Sequence, residues 1–269
     1  MLTFPNAKIN LGLNIISKRP DGYHNIETVF YPVNLQDALE IVPSDTLTFK
    51  SKGLTIEGDP YDNLILKAYR MMQEKYDIPN AAIYLQKNIP MGAGLGGGSS
   101  DAAFLLKAVN KQFKLNLDTA TLQQLAATLG ADCPFFIENK PCFASGLGYD
   151  FEAIDLDLSN YDILLVKPNV HISTEEAYSY VVPRQREVSI KDILKLDIHQ
   201  WKDYLENDFE GSVFNPHPEL SVLKRRIYDA GAIYASMSGS GSTVYGIFPK
   251  GECPDFPESV AYTAYKKSL

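Results

Sequence analysis

Nowhere in this sequence do eighteen apolar residues follow one another, so no membrane-spanning helix is expected. The amino terminus, MLTFPNAKIN, has no basic start followed by an apolar run, so no export signal is read there and a cytoplasmic protein is expected. Cysteine is scarce. Cys133, Cys142 and Cys253 are odd in number and form no C-x-x-C pair, which argues against a disulfide framework or a zinc ribbon and leaves three reduced thiols. Positive charge is short as well: the formal net charge is -8, and the basic clusters run no longer than Lys18-Arg19 and Lys224-Arg225-Arg226. No nucleic acid and no anionic membrane is therefore expected as partner, since both demand a broad basic surface. A small anionic ligand stays open, because a few local donors hold it. Internal repeats and low-complexity tracts are missing too, which removes solenoids and disordered tails.

What is present suffices for real cores: 45% of the 269 residues are hydrophobic, enough for one large or two medium domains. FPNAKINLGLNII (4 to 16) alternates, with Ala7, Ile9, Leu11, Leu13 and Ile15 on one face and Lys8, Asn10 and Asn14 on the other. That period of two predicts a half-buried strand with Lys8 on its polar side. Residues 27 to 56 read as β, Asn63 as the N-cap of a helix to about Tyr76, and 81 to 89 as a strand. Ala102, Leu105, Leu106, Val109 and Phe113 fall at helical spacing, with Ser99 or Ser100 placed to cap and Asp101 in the first turn. Leu122, Leu125, Ala126 and Leu129 predict another helix, stopped by Gly130 in a left-handed cap just before Asp132. Later come a strand at 161 to 168, the capping pair Ser173 and Glu176 for a helix carrying Tyr178, helices near 189 to 206 and 218 to 230, and two strands around SGSGS. Without regular βαβ alternation, the sum is an α+β protein in two lobes, 1–150 and 151–269.

Between the strand at 81 and the helix after 100 stands MGAGLGGGSSDAA (91 to 103), which admits four readings. A flexible linker would be flanked by polar, unstructured sequence, and here a strand and an amphipathic helix flank it. Gly92-x-Gly94-x-x-Gly97 satisfies the dinucleotide spacing, but Asp118, near the distance of the expected acidic residue, precedes a helix rather than ending a strand. A P-loop needs lysine and then serine or threonine after its last glycine, where Gly98 and Ser99 stand instead. A phosphate cradle of another kind remains: glycines let the backbone approach an anion, and free N–H groups at the helix start point at it.

The run PMGAGLGGGSSDAA resembles the second motif of the GHMP kinases, the galactose, homoserine, mevalonate and phosphomevalonate kinase superfamily. PNAKINLGL, with a lysine on an early strand, and SMSGSGSTVYG, a late glycine loop, resemble its other two motifs, so the likeness runs from end to end. Within it, PDGYHNIET (20 to 28) and LGADCPFF (129 to 136) resemble the branch acting on a diphosphocytidyl-methylerythritol in non-mevalonate isoprenoid synthesis, rather than the homoserine or mevalonate branches or a non-catalytic sensor.

That resemblance implies a two-lobed GHMP kinase fold and transfer of the ATP γ-phosphoryl group to an alcohol, with Mg²⁺ as cofactor and no metal ligand assigned. Asp132 is implied as general base, and Lys8 as the cation that orients the hydroxyl. Pro90, Met91, Gly92, Ala93, Gly94, Leu95, Gly96, Gly97, Gly98, Ser99 and Ser100 would wrap the phosphates, either serine reaching phosphate or metal. Asn63, Leu64 and Lys87 would lie near the adenine. For the diphosphocytidyl substrate the implied residues are Asn10, Tyr23, His24, Thr174, Tyr178 and Gly239, with the cytosine sandwiched between Tyr23 and His24 of one lobe and Tyr178 of the other. A monomer or weak homodimer is expected.

Overall fold

Asn63 does what its position predicts: its side chain accepts the Ile65 N–H at 2.9 Å and opens the helix Leu64–Tyr76, a cap worth about 1 kcal/mol. The computed structural model of the chain describes residues 1–56, 58–256 and 262–268. These fall into two compact units interleaved along the chain rather than cut once near residue 150: residues 1–7, 35–91 and 96–140 form the first, and residues 8–34, 92–95 and 141–269 the second.

The first unit has a four-stranded sheet in the order Leu2–Thr3, Ala38–Pro43, Ala81–Lys87, Thr48–Gly53, the last pair parallel and the others antiparallel. Helices Leu64–Tyr76 and Gly97–Gln112 pack on each other, burying Ala68, Tyr69, Met72, Leu105, Leu106 and Val109. Helix Gly97–Gln112 is capped by neither serine. Gly96, in the left-handed region at φ 68°, is the N-cap and makes no side-chain bond, so both serines lie inside the helix and Asp101 falls beyond its first turn. Helix Thr119–Ala127 also ends earlier than expected, at Thr128, whose hydroxyl donates to the Leu125 carbonyl at 2.7 Å. Gly130 is not left-handed. A methyl there would make only ordinary van der Waals contact with Cys133 Sγ, at 3.4 Å, so neither conformation nor space requires the glycine.

The second unit holds two four-stranded sheets, in the orders Asn6–Lys18, His24–Gln36, Cys142–Ser145, Asp150–Ala153 and Tyr234–Met237, Val244–Pro249, Tyr161–Pro168, Tyr262–Ser268. The strand Asn6–Lys18 is buried on both faces over ten residues, not half-buried. Its polar side can be buried because its members bond one another: Lys8 Nζ donates to Asn10 Oδ1 at 2.7 Å, and Asn10 Nδ2 to Thr28 Oγ1 at 2.9 Å. The expected helix over 189 to 206 is three short pieces, Ile190–Ile193, a 3₁₀ turn at Ile198–Gln200 and Trp201–Tyr204. Pro218–Asp229 is a helix as expected, and Asp208–Val213 is one that periodicity did not disclose. No helix among the described residues is long and apolar enough to cross a membrane.

Candidate active site

The glycine run is divided between the units, Gly92–Leu95 in the second and Gly96 onward in the first. In the second, every carbonyl from Ala93 to Leu95 is tied down: Thr243 N–H donates to Ala93 at 3.3 Å, Ser238 Oγ to Gly94 at 2.8 Å and Lys8 N–H to Leu95 at 3.0 Å. Gly94, at φ 74°, permits that approach, since a methyl on it would fall 1.9 Å from the Ser238 carbonyl oxygen. The N–H groups of Gly92 to Leu95 have no partner among the described residues. In the first unit those of Gly96 to Ser99 have none either. Carbonyls turned inward and amides left over make an anion-binding backbone.

The two serines differ. Ser100 is fully buried and its Oγ finds no partner, whereas Ser99 is half-buried and hydrogen-bonds Cys133. Of the two, only Ser99 keeps contact with solvent. Cys133 follows Asp132, and burial pushes its thiol up to about 12, the Ser99 bond opposing that and the Asp132 charge adding to it. The thiol is thus not a nucleophile at neutral pH. Asp132 itself is half-buried in the turn 131–134, ahead of helix Phe135–Glu138.

Also in the first unit is a cavity of about 430 Å³, walled by Phe49, Leu64 and Leu85 with Asn63, Met91 and Gly98 at its polar and glycine-run sides. Its volume suits a ring-sized ligand. Asn63 Oδ1 is spent on the cap, which leaves its amide nitrogen as donor. Lys87 does not join it. The Lys87 ammonium is wholly buried and held by Asp37 at 2.5 Å and Asp101 at 2.7 Å, while Asp37 also accepts the N–H groups of Asn88 and Ile89. Burial, reinforced by the Asp37 charge and opposed by Lys87, pushes the Asp101 carboxyl up to about 8. Gly97 belongs to the same packing, a methyl there meeting Ile89 Cγ2 at 2.8 Å and Lys87 Nζ at 3.1 Å. No spacing signal could have joined Asp37 to Lys87 across fifty residues.

In the second unit the Lys8 ammonium, bonded to Asn10 Oδ1, lies 5.0 Å from the centre of the Phe30 ring. Asn10 is fixed by its neighbours: its N–H donates to Ser238 Oγ at 3.3 Å and its carbonyl accepts the Tyr245 hydroxyl at 2.8 Å. Asn207 Nδ2 donates to the carbonyls of Met237 and Gly239, holding the late glycine loop. A methyl on Gly239 would sit 3.3 Å from Asn10 Oδ1, so the loop lies against the Lys8–Asn10 pair. Asn207, Tyr245 and Thr28 were not legible as site residues.

His24 and Tyr178 come together, but not as two walls from two lobes. Both are in the second unit, and their rings stack on each other with centroids 4.7 Å apart and planes 18° off parallel. A base between two rings needs about twice one stacking distance, so the sandwich is closed by the walls themselves. Burial and the Lys18 charge both lower the His24 pKa. Tyr23 is exposed, and so is Thr174 at the start of helix Thr174–Ser179.

Comparison with known proteins agrees with these motifs. Residues 63–140 match the N-terminal domain of GHMP kinases and 189–257 the C-terminal domain. The chain is 54% identical over 250 residues to a protein of Parabacteroides distasonis named 4-diphosphocytidyl-2-C-methyl-D-erythritol kinase, covering 93% of this chain and 92% of that one. A relative of the same name from Bacteroides thetaiotaomicron is 54% identical, with 95% of each covered. A crystal structure of 4-(cytidine 5'-diphospho)-2C-methyl-D-erythritol kinase superposes at a TM-score of 0.77 with 33% identity, covering 91% and 89% of the two chains. Homoserine kinase from Cytophaga hutchinsonii, at 16% identity and a TM-score of 0.65 over 98% of this chain and 94% of that one, shares the fold. The α+β fold is thus the two-domain one its motifs predicted, and the chain belongs to the GHMP kinases, a family of ATP-dependent small-molecule kinases.

Proposed function

We propose that the chain transfers the γ-phosphoryl group of ATP to the 2-hydroxyl of 4-diphosphocytidyl-2-C-methyl-D-erythritol, in non-mevalonate isoprenoid precursor synthesis. The substrate rests on one observation, the identity above one half across nine-tenths of the chain with relatives of that name. The donor is supported by the glycine run, whose amides have no protein partner and whose carbonyls are bonded.

In this reading Asp132 takes the hydroxyl proton as the oxygen attacks, and Lys8, held by Asn10, stabilises the charge that develops. Gly92 to Ser99 bind phosphate oxygens through backbone amides. The cavity beside Asn63 and Leu64 takes the adenine, and Lys87 supports it from behind through Asp37 and Asp101. Among the described residues no group of three His, Cys, Asp or Glu side chains is arranged for a metal. Mg²⁺ would then travel with the nucleotide, its ligands mainly phosphate and water, with the Ser99 hydroxyl as the protein's contribution. That ion would neutralise phosphate charge. ATP binding falls to the first half of the chain and the diphosphocytidyl group to Asn10, Tyr23, His24, Thr174, Tyr178 and Gly239, all in the second unit. The enzyme would work in the cytoplasm as a monomer or weak homodimer.

ADP release should be measured with ATP and each of three alcohols, the diphosphocytidyl-methylerythritol, homoserine and mevalonate. Turnover dependent on the first alone is expected. Faster turnover of either other alcohol would replace the substrate, and tight binding of the first without ADP release would make the protein a sensor.

A further inference from the structure

The phosphate-binding reading accounts for the backbone of Gly92–Leu95 but leaves unused a side chain lying against it. A methyl built on Gly92 would sit 3.3 Å from both Cε1 and Nδ1 of His171, so the imidazole edge is within van der Waals reach of the first glycine of the run. Both residues belong to the second unit, and both are exposed.

His171 is held there by its neighbours. The Val170 carbonyl accepts the Ser242 hydroxyl at 2.6 Å and the Lys167 ammonium at 3.0 Å. Ile172, on the other side, is buried in the hydrophobic core with Leu164, Val166 and Met237. With Ile172 sunk into the core and Val170 packed against it and tied through its carbonyl, the intervening side chain is left outside. What it meets there is Gly92, whose N–H has no partner among the described residues. The imidazole has no hydrogen bond among them either. An exposed ring fixed at its base, with both nitrogens unspent beside unspent amides, is a donor awaiting an acceptor. Beside a row of unspent backbone amides, a further N–H donor suits an anion, which accepts several hydrogen bonds at once.

We propose that His171 is a further phosphate-binding residue, its ring N–H donating to a phosphate oxygen that lies over Gly92. This rests on the reading of the glycine run as a phosphate cradle. The oxygen belongs either to the nucleotide or to the diphosphate of the second substrate, and the two sources separate experimentally.

The test compares wild type with His171→Ala and His171→Gln, in full kinetics and in equilibrium binding of ATP and of the diphosphocytidyl alcohol measured singly. A hydrogen bond to a charged group corresponds to about a ten- to hundred-fold change in affinity. His171→Ala is expected to raise KM and Kd for one ligand by at least that lower factor while kcat stays within about three-fold, and His171→Gln, which keeps an N–H donor, should recover most of the loss. A rise for ATP alone assigns the nucleotide phosphates, and a rise for the alcohol alone assigns its diphosphate. Unchanged constants for both ligands in His171→Ala would overturn the proposal, as would a fall in kcat with KM intact. Should wild type fail to turn over the diphosphocytidyl alcohol, the substrate reading is lost, but ATP binding by the two variants still decides whether His171 contacts a phosphate.

Discussion

The ring of His24 stacks on that of Tyr178, and Tyr178 in turn meets Phe209 edge-on at 4.8 Å, so one tyrosine links a half-buried ring to the hydrophobic core. A cytosine therefore either lies on the outer face of this pair or parts it, at a cost of about 0.5–1.5 kcal/mol for the ring contact it replaces. Both routes need the tyrosine ring and not its hydroxyl. Tyr178→Ala should weaken the diphosphocytidyl substrate by about ten- to a hundred-fold, the range for one stacked base, leave the KM for ATP unchanged, and lower the melting temperature. Tyr178→Phe should preserve binding. Loss of thermal stability in Tyr178→Ala with normal KM for both substrates would make the residue purely structural.

Asp101 gives the enzyme a pH-dependent stability. In the folded chain its carboxyl keeps a proton to about pH 8, mainly because it is buried, whereas an unfolded aspartate releases it near 3.8. Between those values the folded state holds the extra proton, so stability falls as pH rises, and the contribution is gone above pH 8. Asp101→Asn keeps the shape without the titration. Urea unfolding at pH 5 and pH 9 should show the variant gaining on wild type at the higher pH. Parallel pH dependences would mean that Asp101 stays ionised beside Lys87.

The predictable part of the molecule is the part governed by local rules. Asn63 as N-cap, Ser173 bonded to the Glu176 N–H, and the antiparallel pair Tyr234–Met237 and Val244–Pro249 all follow from neighbours within a few residues. The errors share a different cause. The polar face of Asn6–Lys18 reads as solvated because Asn10, Thr28 and Ser238, which satisfy one another when buried, are far apart in sequence. What the sequence hides at Lys87 is the burial of its ammonium between Asp37 and Asp101, neither of which is near enough in sequence to reveal the contact. Strand Tyr262–Ser268, short and half-polar, declares itself only through its pairing with Tyr161–Pro168.

Adjacent glycines in the run have opposite duties. A side chain at Gly97 would strike Ile89 and Lys87 in the interior, while one at Gly98 meets nothing nearer than 3.9 Å and faces the cavity beside Leu64 and Met91. Gly97→Val should therefore cost about 1–3 kcal/mol of stability through overpacking. Gly98→Val should melt like wild type yet bind ATP about ten- to a hundred-fold more weakly, the loss expected when amide bonds to a charged phosphate are displaced. Calorimetric melting and ATP titration on both variants distinguish the two positions. Equal ATP affinity in wild type and Gly98→Val would remove the amides of this helix start from the nucleotide site.

Asp132, the proposed general base, is held in place by its turn. Its turn is short, lies between helices Thr119–Ala127 and Phe135–Glu138, and is anchored by the Cys133 N–H on the Gly130 carbonyl at 3.1 Å and by Cys133 bonded to Ser99. Half-buried, it keeps contact with solvent, unlike the buried Asp37 and Asp101. Asp132→Asn removes the proton acceptor with almost no change in volume, so the fold and ATP affinity should survive. Turnover should fall by about a hundred- to ten-thousand-fold, the usual contribution of a positioned base. The loss should appear in kcat and kcat/KM together, because the interaction is made as the proton leaves. Single-turnover ADP formation reads the chemical step without product release. If the variant retains near wild-type rates in that measurement, Asp132 is a turn residue, and proton removal falls to solvent or to the phosphoryl group itself.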